Sequence, residues 1–182
     1  MIVEELKYPI GKFVKPDTFT PEILNHYIRN IESFPSRLRT EVEHLTDEQL
    51  DTRYRPDGWT IRQVVNHCAD SHMNSFMRFK LALTEDTPTI KPYFENRWAE
   101  LADSKRMPIE PALKILEGLH QRWVVILKSL TKEDLEKKYI HPERGKELRL
   151  DETVGLYAWH CNHHLAHITN LKKSRHWEQE HE

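Results

Sequence analysis

Four histidines fall within eight positions, at His160, His163, His164 and His167, in a chain of 182 residues that carries 12 in all. A neutral imidazole offers a lone pair to a metal ion near pH 7, so metal binding is the first chemistry this cluster suggests. Helical positions four apart share a face, one turn from each other, and two pairs meet that condition: His160 with His164, and His163 with His167. Val154, Tyr157, Ala158, Cys161, Leu165 and Ile168 mark the buried stripe that decides between them. His164 lies roughly 60° from the centre of that stripe and His160 about 100°, on the same side. His163 lies nearly opposite, which predicts exposure to solvent. His167 sits a little further out than His160, as a surface residue or one standing behind the ligands.

Catalytic zinc sites take three protein ligands and keep a fourth position open, so a third histidine must come from elsewhere. His67 and His72 are the candidates on an earlier helix. Periodicity favours His72, which falls within its apolar stripe. A weak internal repeat favours His67. Leu45, Thr46, Glu48, Leu50 and Tyr54 recur at Leu130, Thr131, Glu133, Leu135 and Tyr139, offset by 85, and Thr60, His67 and Cys68 recur at Thr153, His160 and Cys161, offset by 93. With Thr60 and Thr153 read as helix caps, His67 and His160 occupy equal depths on facing helices. The predicted ligand set is therefore His67, His160 and His164. An isolated helical histidine is usually a surface residue or a hydrogen-bonded core residue, and His26, His44, His120, His141, His176 and His181 read as ordinary in that sense. Cys68 and Cys161 point to stripe centres and read as buried thiols. Trp59, Trp123 and Trp159 read as packing residues, and Tyr93 and Trp98 as residues of a pocket mouth. Asp70 and nearby glutamates are available as general bases, with none singled out.

The elements that must position these residues are helical. Thr20-Pro21-Glu22 is an N-cap, a first-turn proline and an acidic first turn, after an irregular arm reaching Asp17. Ile23, Leu24, Tyr27, Ile28 and Ile31 carry that helix to Pro35, which is expected to break or kink it, and Leu38, Val42 and Leu45 continue the face. Thr60 and Gln63 form a capping box at the start of a second long helix, extending to about Leu83. Glu85 to Met107 reads as a connection with a short helix near Trp98. A third helix spans Ile109 to Ser129. A capped turn and the polar segment YIHPERGKELRL, a possible small hairpin, precede a fourth helix from near Thr153 to about Arg175. Residues 1–182 thus read as one all-α domain, a four-helix bundle with short connecting helices.

Composition agrees and removes several function classes. Glycine is scarce, with 5 in the chain, which favours helix over sheet. A net charge of -2 gives no electrostatic reason to expect nucleic acid as a partner. No segment approaches the ~20 apolar residues of a membrane span, and the first twenty residues lack a signal peptide's apolar run. A cytoplasmic protein with reduced cysteines and a small-molecule substrate is the expectation.

Gly58-Trp59-Thr60, followed by His67-Cys68-Ala69-Asp70-Ser71 and by Trp159-His160, His163-His164 and His167-Ile168, resembles the DinB/YfiT-like superfamily over most of the chain. The resemblance implies a four-helix bundle, often a homodimer, with zinc or nickel on residues matching His67, His160 and His164. Zinc is the default on chemistry. The activity implied is that of a metal-dependent hydrolase, in which the ion lowers the pKa of bound water and polarises the substrate. Similar bundles include metal-dependent transferases of low-molecular-weight thiols such as bacillithiol, and isomerases using such thiols, so a thiol nucleophile is the second reading. A non-enzymatic module stabilised by its metal is the third. Fold and ligands alone do not choose among them.

Overall fold

The computed structural model describes residues 3–177. In chain order it contains α1 (Val3–Lys7), α2 (Pro21–Val42), α3 (Asp47–Leu50), α4 (Ile61–Thr84), α5 (Glu95–Trp98), α6 (Ala102–Arg106), α7 (Glu110–Ser129), α8 (Lys132–Glu136), β1 (Lys138–His141), β2 (Lys146–Arg149) and α9 (Leu150–Ser174). The four long helices α2, α4, α7 and α9 form the bundle. Both α2 and α4 pack against α7 and α9, so these two consecutive long helices sit on a diagonal, where a simple up-down bundle would make them neighbours. His181 and the acidic tail from Glu178 lie outside the described residues, and among those described no helix is long and apolar enough to cross a membrane.

Local sequence explains where these helices begin. The Thr20 hydroxyl accepts from the Ile23 amide at the start of α2. Thr46 with Gln49, Thr60 with Gln63 and Thr131 with Asp134 form reciprocal capping boxes at α3, α4 and α8. Buried Arg62 at the head of α4 pairs with Asp47 and Asp51, both at 2.7 Å, and donates to the Met107 carbonyl. That one guanidinium fastens α3 and the long connection to the helix that carries His67.

Three expectations change. The N-terminal arm contains the short helix α1. Helix α2 runs through Pro35 without a break. Proline removes the amide that would bond the carbonyl four residues earlier, that of Ile31, and here His120 of α7 donates to that carbonyl from Nδ1 at 2.7 Å. Helix α9 begins one turn before Thr153, whose hydroxyl bonds the Arg149 carbonyl from inside the helix. The equal depth of His67 and His160 below paired caps is therefore not present. The polar segment does form an antiparallel hairpin, with Tyr139 opposite Leu148 and Gly145 in the left-handed region at φ 59° closing its turn.

Candidate metal centre

His67, on the inner face of α4, and His160 and His164, one turn apart on α9, project into the space between these helices. Their candidate ligand atoms all lie within 4.8 Å of one another. The Nε2 atoms of His67 and His160 are 3.3 Å apart. Two nitrogens bound to one tetrahedral zinc ion at ordinary bond lengths are separated by about 3.3 Å, so this pair has the spacing of shared coordination. His164 is buried, and its Nδ1 has no hydrogen-bond partner among the described residues. A buried polar atom left that way costs roughly 1–3 kcal/mol, which marks the ring as having an unmet bonding demand. Burial also holds all three rings neutral near pH 7. It depresses the pKa of His67 to about 3, with His163 adding to the shift, and lowers those of His160 and His164 well below the usual imidazole range. Neutral rings keep lone pairs to give.

Behind His160 a chain of hydrogen bonds fixes which nitrogen carries the proton. A carbonyl can only accept, so His120 Nδ1 holds the proton it gives to Ile31. Burial lowers the His120 pKa to about 4, leaving the ring neutral with Nε2 as an acceptor. His72 Nδ1, 2.7 Å from that Nε2, must then be the donor. His72, fully buried and likewise neutral, accepts at Nε2 from His160 Nδ1 at 3.1 Å. The outcome is an unprotonated Nε2 on His160, 3.3 Å from that of His67 and 3.4 Å from the Ser71 hydroxyl. A metal-binding histidine whose other nitrogen donates to a neighbour has its tautomer and orientation set in this way. Periodicity singled out His72, and its place is one step behind the triad. His120, read as ordinary, is the next step. The signal was available, because Leu113, Leu116, His120, Trp123 and Leu127 recur at helical core spacing.

The triad opens into a pocket of about 480 Å³, also lined by Trp59, Trp159, Glu95 and Asn96. Trp59 lies against His67, with ring centroids 4.6 Å apart, and nearly parallel to His164 at 6.5 Å. It is a wall of this pocket as well as a packing residue. A buried three-nitrogen cluster reached from a pocket can hold a divalent ion and still admit a reactant.

The profile of the DinB superfamily matches residues 30–168. The chain belongs to the DinB superfamily. It is 54% identical over 175 residues to proteins of Bacillus cereus and Bacillus thuringiensis named "putative metal-dependent hydrolase", covering 96% of this chain and 100% of each relative. The solved structure of YfiT from Bacillus subtilis, described as a probable metal-dependent hydrolase with an unusual four-helix bundle topology, superposes with a TM-score of 0.93 at 45% identity, over 96% of this chain and 99% of that one. The mycothiol-dependent maleylpyruvate isomerase shares the fold at 16% identity, with a TM-score of 0.58 over 77% of this chain and 60% of its own.

In this DinB bundle the outer face of α9 is covered, which corrects the reading of two histidines. His163 is buried, not solvent-facing. The N-terminal arm lies over it: Trp159 stacks on its ring at 4.4 Å while donating to the Gly11 carbonyl, and Tyr8 approaches within 5.9 Å. His167 is buried against Tyr54, with centroids 3.9 Å apart, and its Nε2 is 3.0 Å from that of His163. His163, His164 and His167 thus make a second cluster that could hold an ion, sharing His164 with the first. Cys68 and Cys161 are fully buried free thiols, with pKa values pushed up by burial. Trp123 packs in the core. Tyr93 lines a neighbouring pocket while Trp98 packs against it, tilted, with ring centroids 4.6 Å apart. Asp70 lines neither pocket; Glu95, from the connection after α4, lines both.

Proposed function

We propose that this chain is a metal-dependent hydrolase of a small molecule, holding one divalent ion, zinc by preference and nickel as the alternative, on His67, His160 and His164. The observation that carries this reading is the unprotonated Nε2 of His160 facing His67 Nε2 at 3.3 Å, with His164 completing the cluster. When bound, such an ion supplies Lewis acidity and an acidified water. The chain's own residues do the rest. Three neutral imidazoles leave the ion's charge uncompensated, the string from His160 to Ile31 holds one of them in place, and Trp59 shields two of them from bulk water. Glu95 is the acid we assign as general base, because of the two carboxylates that line the pocket reaching the triad, Asp57 and Glu95, it is the one that also lines the adjoining pocket. A cytoplasmic homodimer remains part of the proposal, and light scattering on the purified protein reads its oligomeric state.

Metal analysis of untagged protein, together with His67→Ala, His160→Ala and His164→Ala, tests the assignment. One equivalent of metal in the native chain and loss in each variant is the expected result. Full metal in all three variants overturns it. Cleavage of an ester and amide panel in buffer without thiol separates hydrolysis from thiol transfer.

A further inference from the structure

Arg78 lies on the same face of α4 as His67 and Ser71, within about 40° of arc and three turns further along. Its side chain is buried, with 9% of the residue exposed, and lines a second pocket of about 610 Å³. Among the described residues no carboxylate reaches it within ion-pair distance, and none of its nitrogens is hydrogen-bonded. The other buried arginine among the described residues, Arg62, is held by two aspartates and a carbonyl. A guanidinium that has no protein partner and lines a concave pocket is a receptor for an anion. The rest of the pocket is aromatic in part, with Tyr93, Phe94 and Tyr157 among its walls, and charged in part, with Arg97, Glu95 and Glu143. It adjoins the metal pocket, and His160, Trp159, Glu95 and Asn96 belong to both.

We infer that the two pockets are one substrate cleft, and that Arg78 binds an oxyanion, a carboxylate or phosphate, carried by an apolar or aromatic body whose reactive group reaches the histidine triad. The inference rests on the hydrolase reading for what happens at the far end, but the anion site stands on its own. The predicted substrate is a small amphiphilic acid, with the anion about three helical turns from the metal-binding end. Carboxylate and phosphate both suit a planar, multi-donor guanidinium, which can bind either in a bidentate manner.

The test uses chelated, metal-free full-length protein, so that no ion at the triad captures the probe. Phenylacetate and phenyl phosphate are titrated calorimetrically against phenylacetamide, the neutral isostere. At least one anion is expected to bind tenfold or more tightly than the amide, and the tighter of the two names the class. Arg78→Gln should abolish that preference and Arg78→Lys should keep part of it, with helix content checked by circular dichroism. Equal binding of amide and anions by the native protein, binding of none of the three, or an unchanged preference in folded Arg78→Gln would overturn the proposal. Because no metal is present in the titration, failure of the triad to bind metal leaves this result untouched, and failure here leaves the triad's metal test untouched.

Discussion

His120 donates from Nδ1 to the carbonyl of Ile31 at 2.7 Å, the acceptor that Pro35 leaves without its helical partner. A proline on α2 thereby reaches the candidate metal centre through three imidazoles. Removing any link exposes a buried partner in a low-dielectric core, where satisfied networks are stiff and broken ones are expensive. His120→Phe is expected to lower stability by about 2–4 kcal/mol and metal affinity by roughly 10–100-fold, although residue 120 touches no ion. Denaturant melts and competition with a chromophoric chelator read the two effects. Unchanged affinity in a folded variant would remove His120 from the site's support.

The same residue sets a pH dependence. The pKa of His120 in the fold is about 4, against an ordinary value of 6.5, with burial as the main cause. A cationic group whose pKa is depressed by folding contributes no penalty above its unfolded value, and its penalty grows as pH falls through the window down to the folded value. Metal-free protein should therefore lose stability progressively between about pH 6.5 and pH 4, by roughly 3 kcal/mol from His120 alone. Chemical denaturation at half-unit steps across that window measures the loss. His120→Phe should flatten its share of the slope.

Much of this arrangement was legible in the sequence because it is local. Thr60 with Gln63, the Thr46 and Thr131 turns, and the apolar stripes around Val64 and Ile168 each encode a cap or a face within a few residues. The diagonal placement of α2 and α4 was not legible, since periodicity states which face is buried but not against what. His163 shows the same limit. Its side of α9 looks polar from within the helix, and only the arm folding back through Trp159 and Gly11 covers it. Thr153 matches Thr60 in the repeat, yet β2 leads directly into α9 and the helix starts a turn earlier. Pro35 and His120 look like two unrelated anomalies in sequence. In three dimensions each resolves the other.

The two overlapping histidine clusters can be told apart by substitution. His163 and His167 already bond to each other at 3.0 Å, and His167 lies outside the pocket that exposes the triad. His167→Ala should therefore keep one equivalent of metal, at an affinity within about tenfold of native, with His163→Ala behaving alike. Plasma emission spectrometry after gel filtration gives the stoichiometry. Complete metal loss in both variants would move the ion to the second cluster.

Glu95 separates catalysis from binding. It lies on a short helix in the connection and is not one of the candidate ligands on α4 and α9, so Glu95→Gln should leave metal content at one equivalent. With a hydrolysable substrate in hand, kcat should fall by roughly 10²–10⁴ if this carboxylate moves the proton. A matching rise in KM with unchanged kcat would make Glu95 a binding residue.

Asp70, available as a base from sequence, has a structural effect that runs the other way in pH. Half-buried on α4, its carboxyl is pushed up to about 6 by burial, with the Asp103 carboxylate adding to the shift. Below pH 4 the group is protonated both folded and unfolded and contributes nothing. As pH rises through 4 to 6 the unfolded chain ionises first, so the fold loses stability, and above 6 the whole penalty is in place. Solvent reaches part of this side chain and screens it, which brings the penalty down to about 1 kcal/mol. Asp70→Asn removes the charge but keeps the shape, so the variant should be more stable than native by about that amount at pH 8 and indistinguishable from it at pH 4. Paired urea titrations at the two pH values read the difference directly. A variant less stable than native at pH 8 would mean that the Asp70 carboxylate has a stabilising partner when ionised.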